Sequence, residues 1–281
     1  MKQIVVAIDF SKHSTHALEF AITIANVIHS HIMMVWVDKP DSDDSIFDNA
    51  DHEHRQEAKQ RLEELVSKYS KTLKKGKLTY KLRKGKIYKE IANQAKYNDA
   101  YLIVAGSHGV SGFESFWIGS NASKIVTYSP CPVITLRESF PMKKSIQKVV
   151  LPIDNSTSTR QKVPFAMDFA KCFCSEIHVL ELQSSKLKAV RNKVTSYASQ
   201  VSDYLTENKV KHVVKTIEAD NITTATIKYA EENKADLIII MTEQEQELSN
   251  IWLGPYAQQM VNNSPIPVMS IHPKELDYLS K

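Results

Sequence analysis

"AGSHGVSGFESFWIGSNAS", Ala105 to Ser123, holds Gly106, Gly109, Gly112 and Gly119, four of the seven glycines in the chain. Glycine costs backbone entropy and is kept where a chain must turn sharply or lie close to something else. The stretch follows "AYLIV", an apolar β-branched run of strand character, and leads into "WIGSNASKIVTYSPCPVITL" (Trp117 to Leu136). A later segment, "WLGPYAQQMVNNSPIPVMSI" (Trp252 to Ile271), repeats Trp, Gly, Ala, Val, Ser, Pro, Pro and Val at a constant offset of 135 residues. The glycine-rich loop therefore belongs to a unit that occurs twice.

The repeat extends outward. The same offset carries Ile87 onto Ile222, Ala95 onto Ala230 and Leu102 onto Leu237. At the start of each half, "QIVVAIDFS" (Gln3 to Ser11) matches "KVVLPIDNS" (Lys148 to Ser156). A chain of 281 residues suits two domains of ordinary size. The reading places them at 1–138 and 147–275, with a polar linker from Glu138 to Gln147.

Each half alternates strands and helices. "IVVAID" is an unbroken apolar run, as expected of a strand buried on both faces. After Ser11, a candidate N-cap, Ala17, Ala21, Ile24, Ala25 and Ile28 return at helical spacing. "HIMMVWV", "KLTYKLR", "AYLIVAG" and "CPVITL" are the following strands. Ala58, Leu62, Leu65, Val66, Tyr69 and Leu73 form one face of a long helix; Lys86 to Lys96 and Gly119 to Ser129 make two more, the last stopped by Pro130. This pattern predicts an α/β fold, a five-stranded parallel sheet flanked by helices in each half. Right-handed crossovers leave a crevice at the carboxyl ends of the strands, where the order reverses. Asp9 and Gly106 end the two strands expected to flank it.

A glycine-rich loop between a strand and a helix suits an anion: backbone N–H groups can face phosphate oxygens, and the helix N-terminus adds partial positive charge. Neither the Walker pattern nor the dinucleotide G-x-G-x-x-G is present. Asp9 could equally cap a turn, His108 could be a solvated loop residue, and Ser120 could cap its helix while also meeting phosphate.

The spacing Gly106-x-x-Gly109, nine residues, then Gly119-Ser120 resembles the G-2x-G-9x-G-[S/T] pattern of the universal stress protein family. The Pro-Cys-Pro lead into the last strand and the opening "VVAIDFS" are similar too. The resemblance covers both halves and implies two tandem Rossmann-like domains of the adenine-nucleotide α-hydrolase type. It implies ATP as ligand, with Mg2+ beside the phosphates and no nameable protein ligand for the metal. By motif matching, Ala7, Ile8 and Asp9 would line the base and ribose side, and Val37 the adenine edge. Ala105, Gly106, His108 and Gly109 would take ribose and phosphates, and Gly119, Ser120, Asn121 and Ala122 would close over the phosphate chain. In the family, domains associate through their last strands. "CPVITL" and "IPVMSI" are therefore expected to pair antiparallel within the chain, and a homodimer of chains stays open.

The second half departs from the pattern. Gly106 becomes Met241, Gly109 becomes Gln244, Gly112 becomes Glu247 and Ser120 becomes Pro255. Glu243, Glu245 and Glu247 would repel a triphosphate, and Pro255 removes an N–H. The expectation is that the first half binds ATP and the second does not, with Asp154 left as a turn or cap.

Other features are read as structural. The net charge of +4 is dispersed, which does not signal a nucleic-acid or membrane surface. The opening apolar run is too short for a signal-peptide core, and no run is long enough to span a bilayer. Three cysteines without framework spacing suit a reducing, cytoplasmic compartment, and Cys172 and Cys174 are expected to be buried rather than metal-binding. Asp38 to His54 reads as an acidic loop and helix start, and the lysines from Lys68 to Lys89 as a solvated helix end and strand edge. No general base or activated nucleophile stands out near the loop, so a nucleotide-dependent regulatory protein of the stress response is favoured. A slow ATPase or nucleotidyl transferase, or a nucleotide-independent scaffold, is the alternative.

Overall fold

Gln3–Ile8 forms strand β1, its central side chains buried on both faces. A computed structural model describes residues 1–38, 48–107, 120–143, 145–242, 244–247 and 250–273. The chain divides into two compact units, Met1–Ser145 with Val261–Pro265 and Ile146–Met260 with Ile266–Lys281.

In the first unit, β1 is followed by helix α1 (Lys12–Ile28), β2 (His31–Asp38) and helix α2 (Asp48–Tyr69), which closes in a 3-10 turn at Ser70–Thr72. Then come β3 (Leu78–Lys84), α3 (Ile87–Tyr97), β4 (Ala100–Gly106), α4 (Ser120–Tyr128) and β5 (Val133–Leu136). The sheet order is β3-β2-β1-β4-β5, all parallel. Consecutive strands step one way from β1 to β3 and the other way from β4 to β5. The reversal lies between β1 and β4, the place where such sheets open a crevice at their carboxyl ends.

Of the α1 stripe predicted from spacing, Ala17, Ala21, Ile24 and Ala25 are buried and Ile28 is half-buried; Leu18 beside the stripe is buried too. On α2, Ala58, Leu62 and Tyr69 are buried while Leu65 and Val66 are half-buried. Gly76 has a left-handed φ of 100°, and a Cβ there would lie 2.2 Å from the Ser30 carbonyl oxygen, so only glycine makes the turn into β3. The stretch read as a polar linker is anchored. Phe140 is buried edge-on against Phe20, and its carbonyl lies 2.8 Å from His16 Nε2. One aromatic residue suffices to tie a polar segment to the helix face beside it.

The second unit repeats the plan: β6 (Lys148–Ile153), α5 (Val163–Phe173), β7 (Glu176–Gln183), α6 (Lys188–Glu207), β8 (His212–Glu218), α7 (Ile222–Glu232) and β9 (Leu237–Met241). Where the first half has its glycine loop, this half has an antiparallel pair of strands, β10 (Gln244–Glu247) and β11 (Asn250–Leu253), in register Gln244↔Leu253 to Glu247↔Asn250. Helix α8 (Pro255–Asn263) and β12 (Val268–Ile271) follow. The strands run β12-β9-β6-β7-β8, again parallel. The hairpin was not legible because "QEQE" has no apolar alternation, the usual mark of a strand.

The cysteine expectation is corrected. Cys172 and Cys174 are both exposed, and only Cys131 is partly covered. The buried stripe of α5 runs Ala166, Met167, Phe169, Ala170, Phe173; Cys172 falls off it, and Cys174 caps the helix in a left-handed conformation.

Candidate functional site

The first-domain site grows from the turn that joins β1 to α1. Asp9 Oδ1 accepts hydrogen bonds from the Ser11 N–H at 3.0 Å and the Ser11 hydroxyl at 2.6 Å. The Ser11 hydroxyl oxygen accepts from the Ser14 N–H at 3.1 Å, which caps α1, and the Asp9 N–H reaches Ser14 Oγ at 3.3 Å. Asp9 thus organises the helix start that Ser11 caps, and stays half-buried rather than sealed in.

Neighbouring strands bring the other expected residues to the same end of the sheet. Ala7 pairs with Val35, and Ile8 with Trp36 across to β2. Val37, buried, pairs with Arg83 on β3. Ala105 and Gly106 end β4 beside Thr135 and Leu136. A Cβ on Gly106 would come within 3.0 Å of the His13 backbone. Glycine is therefore required there by the first turn of α1, whatever else approaches it. That packing sets the end of β4 against the turn built on Asp9.

Ser120 opens α4, Asn121 is half-buried and Ala122 buried. The first turn of α4 carries no acidic residue, so no side chain of that turn offsets the partial positive charge of its N-terminus. His108, Gly109, Gly112 and Gly119 lie outside the described residues. Among the described residues no group of three His, Cys, Asp or Glu could hold a metal. The chemistry on hand is anion binding and hydrogen bonding, which fits a phosphate chain that brings its own magnesium and water ligands.

One set of residues here carried no sequence signal that the reading used. Phe10, between Asp9 and Ser11, has φ 63°, in the left-handed region that a bulky side chain rarely enters. Its ring lies 6.4 Å from that of Trp36, tilted 32°, and the Arg61 guanidinium sits 4.4 Å above it. Trp36 also meets His54 edge-on.

The second domain closes two of these hydrogen bonds around Asp154. Its Oδ1 accepts from the Ser156 N–H at 2.8 Å, and its own N–H donates to Thr159 Oγ1 at 3.2 Å. The surroundings differ. Lys162 is fully buried where the first domain has Ala17, and its Nζ donates to the Thr159 carbonyl at 2.5 Å. Burial pulls this ammonium down to about 8, with Asp154 opposing. Glu181 stands at the position of Trp36, buried, and accepts from Gln183 Nε2 at 2.6 Å, from the Thr195 hydroxyl and from the Thr216 hydroxyl at 3.0 Å. Neutral donors satisfy this carboxylate within the α6–sheet interface.

A parallel sheet that reverses at β1/β4 and is flanked by helices defines an α/β protein, and here the plan occurs in tandem. The chain belongs to the universal stress protein family, whose profile matches residues 1–137 and again 145–272. A universal stress protein of Bacillus subtilis is 44% identical over 48 residues, 17% of this chain; that match spans about a third (32%) of the relative's own length. One from Methanocaldococcus jannaschii is 24% identical over 142 residues, covering 44% of this chain and 81% of the relative. The crystal structure of a universal stress protein from Archaeoglobus fulgidus superposes with a TM-score of 0.77 at 18% identity, covering 97% of this chain and 98% of that one. That likeness establishes the fold over nearly the whole chain.

Proposed function

We propose that the first domain, 1–138, binds ATP at the carboxyl ends of β1, β2 and β4, and that the degenerate second domain, 147–275, does not. In this reading Ala7, Ile8, Asp9 and Val37 take the base and ribose. Ala105, Gly106, His108 and Gly109 take ribose and phosphate, and Gly119, Ser120, Asn121 and Ala122 the phosphate chain, with Mg2+ beside it. The chain acts as a nucleotide-dependent regulatory module of the cytoplasmic stress response. Phosphate ordering of the loop between β4 and α4 would convey occupancy. Pairing of Val133–Leu136 with Val268–Ile271 within the chain is part of the same reading.

The observation that carries it is the contrast between the halves. Both make the Asp-centred turn, yet only the first follows β4 with the glycine spacing. In the second, β9 leads into a hairpin of sequence QEQE, and α8 begins with Pro255, which has no N–H to offer phosphate.

Denaturing the purified protein and quantifying released small molecules tests this. The expected result is adenine nucleotide at about one per chain; two per chain would overturn the assignment of the second domain. If the purified chain carries no nucleotide, takes up no added ATP, and Gly109→Val changes nothing, the nucleotide reading fails.

A further inference from the structure

Phe10 is the least suitable residue in the Asp9 turn for the backbone it adopts. The second domain offers a comparison within the same chain. There the equivalent residue is Asn155, a type that tolerates the left-handed region, yet Asn155 is not among the residues with positive φ while Phe10 is. Both domains nevertheless close the same two hydrogen bonds around the Asp. The two hydrogen bonds therefore close on either backbone, although the helix that follows begins at Lys12 in the first domain and only at Val163 in the second. In the first domain the left-handed φ sets the direction of the side chain, since reversing the sign of φ turns the Cβ to another side of the backbone. Strain of this kind persists where surrounding structure over-determines it, and it gathers at ligand clamps.

The side chain so directed is aromatic and half-buried, flanked by the Trp36 ring and capped by Arg61. It immediately follows Asp9 and stands at the carboxyl ends of β1 and β2. The second domain, which lacks the glycine spacing, lacks both rings as well: Asn155 replaces Phe10 and Glu181 replaces Trp36. Loop and rings are thus present together in one half and absent together in the other.

We propose that Phe10 is the base-stacking and specificity-determining residue of the first-domain site, held in its left-handed conformation so that its ring, buttressed by Trp36 and Arg61, forms a wall for a planar purine. The assignment rests on the nucleotide reading above. It adds a contact made by a side chain π-face to that site.

The test uses the full-length chain, ATP by calorimetry and ethenoadenosine triphosphate by fluorescence, because stacking on an aromatic ring quenches the etheno base. Phe10→Asn and Phe10→Leu are expected to weaken ATP binding about tenfold or more, the usual worth of one base–aromatic stack. Bound etheno probe should be bright in both variants and quenched in the wild type. Phe10→Tyr, which keeps the ring, should keep affinity and quenching. Unchanged affinity in Phe10→Asn and Phe10→Leu overturns the proposal while leaving the nucleotide reading standing, and so does weaker binding with quenching retained. A wild-type chain that takes up no ATP removes the nucleotide reading, and this inference with it.

Discussion

Lys162 shows how a single residue can work against the domain that holds it. Its ammonium is sealed from solvent, bonded to the carbonyl and hydroxyl of Thr159 and eased by the charge of Asp154. Burial lowers it from the ordinary 10.5 to about 8, so the folded state disfavours the charged form. Below about pH 8 the group is protonated folded and unfolded, and the full penalty falls on the folded state. Between about 8 and 10.5 only the unfolded chain holds the proton, and stability rises with pH by up to about 3 kcal/mol. Lys162→Met should therefore stabilise the protein at pH 7. Its advantage over the wild type should shrink as pH passes through that window, measured by denaturant unfolding at each pH. Cysteine reactivity follows the same physics. Burial pushes the Cys131 thiol up to about 11, whereas Cys172 and Cys174 are exposed. Timed alkylation with mass spectrometry should label the latter pair first and Cys131 slowly, since the thiolate is the reacting form.

At the scale of elements, the start of α1 is where structure and candidate site share residues. Ser11 caps the helix and donates its hydroxyl to Asp9. Ser11→Ala should cost about 1 kcal/mol of stability, the worth of an N-cap, read from the unfolding midpoint. It should also release Asp9 from one of its donors. The element pattern was largely legible: the buried stripe of α1 and the apolar runs of β1, β2, β4 and β5 follow periodicity. The hairpin β10–β11 was not, because its residues alternate Gln and Glu and its pairing is between neighbours in the chain rather than with a core. The exposure of Cys172 was misread because residue type was weighed above position on the stripe of α5. Phe10 escaped notice because a backbone conformation leaves no mark in a single sequence. Comparison with Asn155 was the one signal available.

Across the whole molecule, duplication explains the plan and divergence assigns the roles. β1 and β2 map onto β6 and β7 residue for residue, from Gln3–Ile8 to Lys148–Ile153 and from His31–Asp38 to Glu176–Gln183. The halves also differ at the carboxyl ends of these strands, where one has rings and a glycine loop and the other a buried carboxylate, a buried lysine and a hairpin. On the proposed function, one nucleotide per chain is expected. The amino-acid sequence by itself determined the family, the tandem plan and the strand order class, because these depend on periodic burial and on a spacing of glycines that is local along the chain. Only the tertiary structure decided that Gly106 is required by His13, that Lys162 is sealed in, and that Phe10 is turned left-handed against Trp36. Each of these depends on what packs across from the residue, and that is set by neighbours in space, which local pattern does not encode.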